Sequence, residues 1–361
     1  MPSKNKPLNS SAQQPPYAPS YPWGSVSIDD VCNLEPYNPT LPSDYAMPNV
    51  KLLNVASEVL EVPENFDEYL EITNQDLKPL DVGGNTATLC RMFYLPPTEA
   101  DNVILKSGYD LKLTEFDRAV FGAIASLYKA GNRIMTIATI YRVMTGTQDS
   151  GYIGDSQRKQ VMNSISKMRC IYVEVDCSEE AQRIHKDDTL SVKYEAHFLE
   201  TEILTVESGG SSSVKAYFIK DEPVLARYAN YVNQVIQIPF NLLSVGGSNS
   251  AERIAIRFYL LRRILANTGK MANIILYTSI YEVADTGTDK FKREKARSFV
   301  HKCLEAWQRL GLLKSYEITC TPNGAYYSIK FVPNRLKTSA LDNKTGIGSE
   351  DSPTTPDDGE K

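Results

Sequence analysis

This chain is poor in the side chains that most enzymes rely on. Its 361 residues include three histidines, at 185, 197 and 301, and none belongs to a His-x-His pair. A nicking site that pairs a tyrosine nucleophile with a histidine-held metal therefore lacks its ligands. The 21 tyrosines do not alter this, because so many place one near any site. The six cysteines (32, 90, 170, 177, 303 and 320) form no Cys-x-x-Cys pair, which argues against both zinc binding and a disulfide framework. Cys170 and Cys303 fall at apolar positions and read as small buried thiols. The phosphate-cradling pattern Gly-x-x-x-x-Gly-Lys-Ser/Thr is absent. Gly269-Lys270-Met271 lacks both the preceding glycine and the hydroxyl residue. Glu179-Glu180 and Asp187-Asp188 lie in a polar stretch that reads as a loop, so they are expected to be surface charges rather than a two-metal centre. No apolar run approaches the ~20 residues needed to cross a bilayer. Met1 to Gly24 is polar and proline-rich, without the apolar core of a secretory signal. These absences lead to the expectation of a cytoplasmic protein without enzymatic activity, cofactor, metal or membrane contact.

Charge is unevenly spread. The net charge is −5, yet residues 1–110 carry 6 Lys and Arg against 15 Asp and Glu, while residues 111–336 carry 30 against 23. The last 25 residues, 337–361, carry 3 against 6. A cationic centre between acidic ends suits a polyanionic partner, with the ends limiting nonspecific adhesion.

What the chain does have is an internal repeat. Ile140-Tyr141-Arg142-Val143 with Thr145-Gly146-Thr147 recurs as Ile280-Tyr281-Glu282-Val283 with Thr286-Gly287-Thr288. Val161, Ile165 and Met168 recur 139 residues later as Val300, Leu304 and Trp307. Each copy is preceded by a long amphipathic stretch and followed by an alternating one, so two related modules are expected. In the first, Thr114 and Asp117 form a capping-box start, and Phe116, Val120, Ile124 and Leu127 make a helical stripe. Thr136 caps a short second helix, and a third, started by Asp155 or Ser156, runs from Ser156 to Met168. Ile171–Val175 reads as a strand. Val192–Leu204 and Val214–Ile219 read as a long hairpin around a Gly/Ser tip. Pro223–Val232 is a connecting helix, and Val235–Pro239 a short strand. In the second module, Ser248 or Ser250 caps a helix through Asn267. Ile274–Tyr277 is a strand, Thr278 caps a short helix, and a third helix opens at Thr288 or Asp289. Leu312–Thr319 and Ala325–Val332 form a hairpin around Asn323-Gly324.

The order helix, helix, basic helix, hairpin is that of a winged helix-turn-helix. The expected fold is therefore α+β: two tandem winged helix-turn-helix domains with disordered N- and C-terminal tails. The expected boundaries are a disordered proline-rich segment 1–48, an acidic region 49–110 with a short helix near Asn65–Glu71, a first domain 111–235, a second 236–335, and a disordered acidic tail 336–361.

The third helices carry the candidate chemistry. With Val161, Ile165 and Met168 facing inward, Ser156, Lys159 and Asn163 point outward, and Gln160 and Lys167 lie on the shoulder. With Arg158 they suit groove reading: Asn and Gln pair with adenine, and Lys and Arg with guanine or phosphate. In the second copy Lys290, Lys292, Arg293, Lys295 and Arg297 crowd the helix start, with Lys302 farther along. Cations there meet the unfavourable end of the helix dipole unless an anion compensates them, and phosphate is the natural candidate. Trp307 falls in the apolar series and is expected in the core. Of Tyr326 and Tyr327 on the last hairpin, one should be buried and the other free to meet backbone or sugar.

With Leu113-Thr114-Glu115-Phe116-Asp117-Arg118, Arg158-Lys159-Gln160-Val161, and Ile238-Pro239-Phe240-x-Leu242-Leu243 ahead of Glu252-Arg253-Ile254-Ala255, residues 111–335 resemble the replication initiator (Rep) proteins of plasmids and related mobile elements. The resemblance implies tandem domains that bind direct repeats (iterons) in double-stranded origin DNA. It further implies recruitment of a host helicase or initiator, and a homodimer that represses its own promoter. Residues 1–110 depart from that pattern and inherit no role. A tandem winged-helix transcriptional regulator and a winged-helix protein-interaction scaffold would share the same elements.

Overall fold

The computed structural model describes residues 40–48, 78–81, 87–94, 113–147, 153–207, 213–231, 234–247, 249–266 and 273–334. The expected helix near Asn65–Glu71, the acidic tail 336–361 and most of the proline-rich segment lie outside these residues. The architecture is mixed α+β.

In chain order the elements are β1 (Asp44–Pro48), β2 (Lys78–Asp81), β3 (Ala87–Tyr94), α1 (Glu115–Lys129), β4 (Ile134–Thr136), α2 (Ile137–Thr145), α3 (Asp155–Arg169), β5 (Ile171–Asp176) and α4 (Ser178–His185). There follow β6 (Lys193–His197), β7 (Thr201–Glu207), β8 (Ser213–Ile219), α5 (Val224–Tyr231), β9 (Val235–Pro239), α6 (Phe240–Leu243) and α7 (Ala251–Leu265). The chain closes with β10 (Ile274–Leu276), α8 (Tyr277–Val283), α9 (Lys290–Arg309), β11 (Leu313–Cys320) and β12 (Tyr326–Pro333).

The internal repeat is a repeat of topology. Each half runs helix, short strand, helix, helix, hairpin: α1-β4-α2-α3 with β7-β8, and α7-β10-α8-α9 with β11-β12. In each half the short strand pairs antiparallel with the second hairpin strand, giving sheets ordered β4-β8-β7 and β10-β12-β11. The repeated residues do the same thing in both copies. Ile140 and Ile280 are buried, as are the Val161/Val300, Ile165/Leu304 and Met168/Trp307 pairs. Thr145 donates its hydroxyl to the Tyr141 carbonyl at 2.9 Å, and Thr286 to the Tyr281 carbonyl at 3.2 Å. The glycine that follows takes a left-handed turn (φ 67° at Gly146), which costs an ordinary residue energy. At Gly146 a side chain would also strike the Phe240 carbonyl, 2.5 Å from where its Cβ would stand.

Three findings refine the expectations. First, the expected strand Ile171–Val175 is present, and it belongs to a different sheet from the hairpin. As β5 it joins a four-stranded antiparallel sheet, β2-β3-β5-β6, of which β5 and β6 lie between α3 and the β7-β8 hairpin along the chain and β2 and β3 precede α1. Ile171, Val173 and Val175 are buried while their neighbours are not, and Met92, Phe93 and Tyr94 of β3 are all buried. Strand alternation is visible in sequence, but the partner strand is not, because pairing is nonlocal. Second, Val192–Leu204 breaks at residues 198–200 into strands of two different sheets, and the polar stretch with Glu179-Glu180 is helical in α4. Third, the last residues of the segment 1–48 are ordered: β1 pairs with β9, with Tyr45 opposite Ile238. A smaller adjustment concerns α8, whose N-cap is Leu276 rather than Thr278.

β1 threads between the halves. Tyr45 is fully buried, its ring 4.8 Å from that of Phe258 on α7, and its hydroxyl donates to the Ala119 carbonyl on α1 at 2.8 Å. Burial pushes its phenol well above the usual tyrosine range, so it remains a neutral donor. The Ala46 amide donates to the Ser126 hydroxyl at 2.7 Å, and Asn132 donates its side-chain amide to the Thr40 carbonyl at 2.8 Å. Tyr45 fits only because residue 122 is glycine: a Cβ there would stand 2.1 Å from the tyrosine oxygen. Arg262 of α7 and Glu115 of α1 add an ion pair across the same seam. We expect Tyr45→Ala to lower unfolding free energy by about 3–5 kcal/mol and Gly122→Ala by roughly 1–3 kcal/mol. Denaturant titration checks this; unchanged midpoints in both variants would show that β1 does not clamp the two halves.

Candidate nucleic-acid interface

The start of α1 determines how α3 is held. Thr114 and Asp117 form the expected capping box. Asp117 is buried, and its carboxylate also accepts hydrogen bonds from Ser164 and, at 3.2 Å, from the Lys167 ammonium. A buried carboxylate is tolerated only when its oxygens are satisfied, and here four donors reach it, two of them from Thr114. The consequence is that α3 is tied to α1 along one edge. It also corrects one candidate: the Lys167 side chain is only 13% exposed and belongs to this ion pair, not to an open face.

The remaining α3 candidates are open. Ser156, Arg158, Lys159 and Asn163 are exposed, and Gln160 is half-buried at the margin. Arg158 donates its Nε to the Ile153 carbonyl at 3.3 Å, which steadies it beside the helix start. The helix begins at the exposed Asp155, one of its two expected starts. Its N-cap Gly154 offers no side-chain acceptor, so helix-end amides there are free of a side-chain cap.

α9 is capped by Asp289, whose Oδ1 accepts from the amides of Phe291 at 2.8 Å and Lys292 at 3.1 Å. Lys290, Lys292, Lys295 and Lys302 are exposed, and Arg293 and Arg297 are half-buried. Among the described residues none of these six cations forms an ion pair. The two arginines are oriented by aromatics. Arg293 lies 4.9 Å from the Tyr281 ring and donates to the Gly287 carbonyl at 2.9 Å; Arg297 lies 5.0 Å from the Tyr326 ring. Cation–π contact fixes a guanidinium while leaving its charge unneutralised. Beside these side chains a groove of about 410 Å³ is lined by Ser250, Arg253, Asp285, Thr286, Lys292 and Lys295. Arg253 was not among the candidates, because it lies on another helix and only folding brings it to the start of α9.

On the last hairpin Tyr327 is 58% exposed, while Tyr326 packs 5.2 Å from Tyr277. Tyr326 is half-buried rather than buried, so the expected division of the two tyrosines is met only in part. The described part of the first hairpin ends at Glu207 and resumes at Ser213, so its Gly/Ser tip lies outside the described residues. Phe291 is a further side chain that sequence reading passed over. It lies nine residues before the buried Val300, half a helical turn around from it, and that spacing was the available signal. No helix among the described residues is long and apolar enough to cross a membrane, and no cluster of three or more potential metal ligands occurs among them.

No protein-family model and no curated protein matches the chain. Among solved structures it is similar to a crystal structure of domains 2 and 3 of RctB, at 12% identity over 77% of this chain and 96% of that one, with a TM-score of 0.35. A selenomethionine-derivative structure of the same two domains gives 13% identity, 80% and 98% coverage, and a TM-score of 0.32. Superpositions this loose transfer neither fold nor function.

Two substitutions separate the two lysine roles. Lys167→Ala should lower stability by roughly 1–3 kcal/mol, because it leaves a buried carboxylate short of its charged donor. Lys159→Ala on the open face should leave stability within about 0.5 kcal/mol of the parent. Equal thermal stabilities for the two variants would refute the assignment of Lys167 to the interior.

Proposed function

We propose that the protein binds double-stranded DNA sequence-specifically as a plasmid-type replication initiator, without catalysing a reaction. In this reading each half is a winged helix-turn-helix, α3 and α9 are the two groove-reading helices, and the hairpins are the wings. One observation carries it. At the same topological position in both halves, the third helix turns an open face of amide, hydroxyl and cationic side chains outward, and on α9 six cations form no ion pair among the described residues. Unpaired cations crowded at a helix N-terminus are held against the helix dipole. A phosphate backbone relieves that cost and releases counterions as it does so.

The roles divide by chemistry. Asn163 and Gln160 can pair with the N6/N7 edge of adenine, and Arg158 or Lys159 with guanine. Lys290, Lys292, Arg293, Lys295, Arg297 and Lys302 contact phosphates and set register. Binding to direct repeats at an origin, recruitment of a host helicase or initiator, and an autorepressing homodimer complete the initiator reading. They rest on the sequence resemblance alone. A transcriptional regulator would bind DNA in the same way but would not support replication.

Replacing Lys292, Arg293 and Lys295 together by alanine should weaken binding to every duplex and flatten its salt dependence by about 0.9 log unit per lost phosphate contact. Asn163→Ala or Gln160→Ala should instead relax sequence preference, costing ~1–3 kcal/mol on the best site. Both follow from titrations on specific and random duplexes at several salt concentrations, and equal binding by parent and variants would sink the reading. Protection mapping on DNA flanking the gene, with a test of whether that DNA and this protein sustain a plasmid, decides between initiator and regulator.

A further inference from the structure

Phe291 is the most exposed large apolar side chain among the described residues, at 64%. It stands on the first turn of α9, between the exposed Lys290 and Lys292, and the Lys295 ammonium sits 4.1 Å from its ring centroid. The lysine thus lies over one face of the ring and leaves the rest open. Matched at the 139-residue offset of the repeat, α9 begins four residues earlier than α3: Lys290 corresponds to residue 151, whereas α3 starts at Asp155. The extra turn is Lys290-Phe291-Lys292-Arg293. At 100° per residue Phe291, Lys295, Ser298 and Lys302 fall within about 60° of one another, so the ring shares the outward face with the phosphate-binding candidates. The acids nearby are Asp289, engaged in capping, the exposed Glu294, and the exposed Asp285 and Glu252, which line the groove with Lys292 and Lys295.

We propose that Phe291 is a specificity-determining residue that packs against the 5-methyl group of a thymine in the major groove. This rests on the DNA-binding reading above. An apolar ring hemmed by unpaired cations fits a partner that offers an apolar spot between negative charges. A thymine methyl flanked by backbone phosphates is such a spot, and phenylalanine is one of the side chains that meets it. A wholly apolar protein surface would strand the lysines around the ring. A minor-groove wedge would instead kink the duplex.

The test uses the full chain and a duplex selected from a random pool by the wild-type protein. Each thymine is replaced in turn by uracil, which removes only the methyl group. We expect one or two positions at which the wild type loses about threefold to tenfold in affinity. At those positions Phe291→Ala should bind thymine and uracil equally, Phe291→Leu should keep part of the preference, and the salt slope should stay at its wild-type value. The inference is overturned if the alanine variant keeps the wild-type thymine preference, or if no position is sensitive to uracil. It is equally overturned if the alanine substitution abolishes DNA bending rather than methyl discrimination. A wild-type protein that binds no duplex at all overturns the DNA-binding reading itself, which separates that failure from failure of the role given to Phe291.

Discussion

The connector between the two halves, running from α6 to the start of α7, is the point on which the rest of the molecule depends. Leu242, Leu243 and Val245 in it are buried, and an unpaired carbonyl there costs as much as a lost hydrogen bond. Three donors from three different elements meet it. The Trp307 indole donates to the Leu242 carbonyl at 3.0 Å, Arg257 to the Val245 carbonyl at 2.8 Å, and the Tyr141 hydroxyl to the Asn249 carbonyl at 2.9 Å. Tyr141 belongs to the first half, and Trp307 and Arg257 to the second, so the connector is held from both sides. Arg257 is fully buried, and its second hydrogen bond goes to the Asn249 side chain at 3.0 Å. Among the described residues no carboxylate forms an ion pair with it: its neighbour is Cys303, whose thiol burial pushes up to about 12. A guanidinium is weakly hydrated enough to be used this way, as a fork for carbonyl oxygens. With Tyr45 wedged between α1 and α7, the buried side chains of both halves form one continuous core. The open faces of α3 and α9 therefore stand on a common body rather than on modules joined by a loose tether.

Within that body, charge is handled in two opposite ways. Around Asp117 and Glu115, carboxylates at the start of α1 are matched by Lys167, Arg118 and Arg262, and all these side chains are largely withdrawn from water. These pairs orient helices. At the start of α9, among the described residues, the cations form no ion pair, and Arg293, Lys295 and Arg297 have aromatic rings beside them. Aromatic contact restrains a side chain without cancelling its charge, so the positive field remains available to an incoming anion. The sequence contains the same residue types in both places, and the difference lies in which acids the fold brings near.

Much of the local structure was legible because it depends on local physics. The Thr114–Asp117 capping box, the strand Val235–Pro239 and the hairpin at Asn323-Gly324 all follow from residues a few positions apart. The outward direction of Lys159, Asn163 and Lys292 followed from helical periodicity. What escaped was nonlocal. That β5 pairs with β3, with Phe93 opposite Tyr172 across 79 residues of sequence, is written nowhere near either strand. Lys167 looked like its neighbours until Asp117, 50 residues upstream, was folded against it. Tyr45-Ala46-Met47, bracketed by prolines at 42 and 48, is too short for any period to show, and its burial comes from the groove that α1 and α7 form together.

The chain on its own determined the number of related units, the order of elements within each, and which helix of each unit would be basic. Those properties reside in spacing and composition, and they survive any rearrangement of distant parts. Folding alone decided which basic side chains would be neutralised and which left open, that an arginine and a tyrosine would fasten the seam between the units, and that an aromatic ring would be left standing among lysines at the tip of α9. The reason is that electrostatic and packing energies depend on distance in space, and residues far apart along the backbone acquire that distance only when the whole core closes.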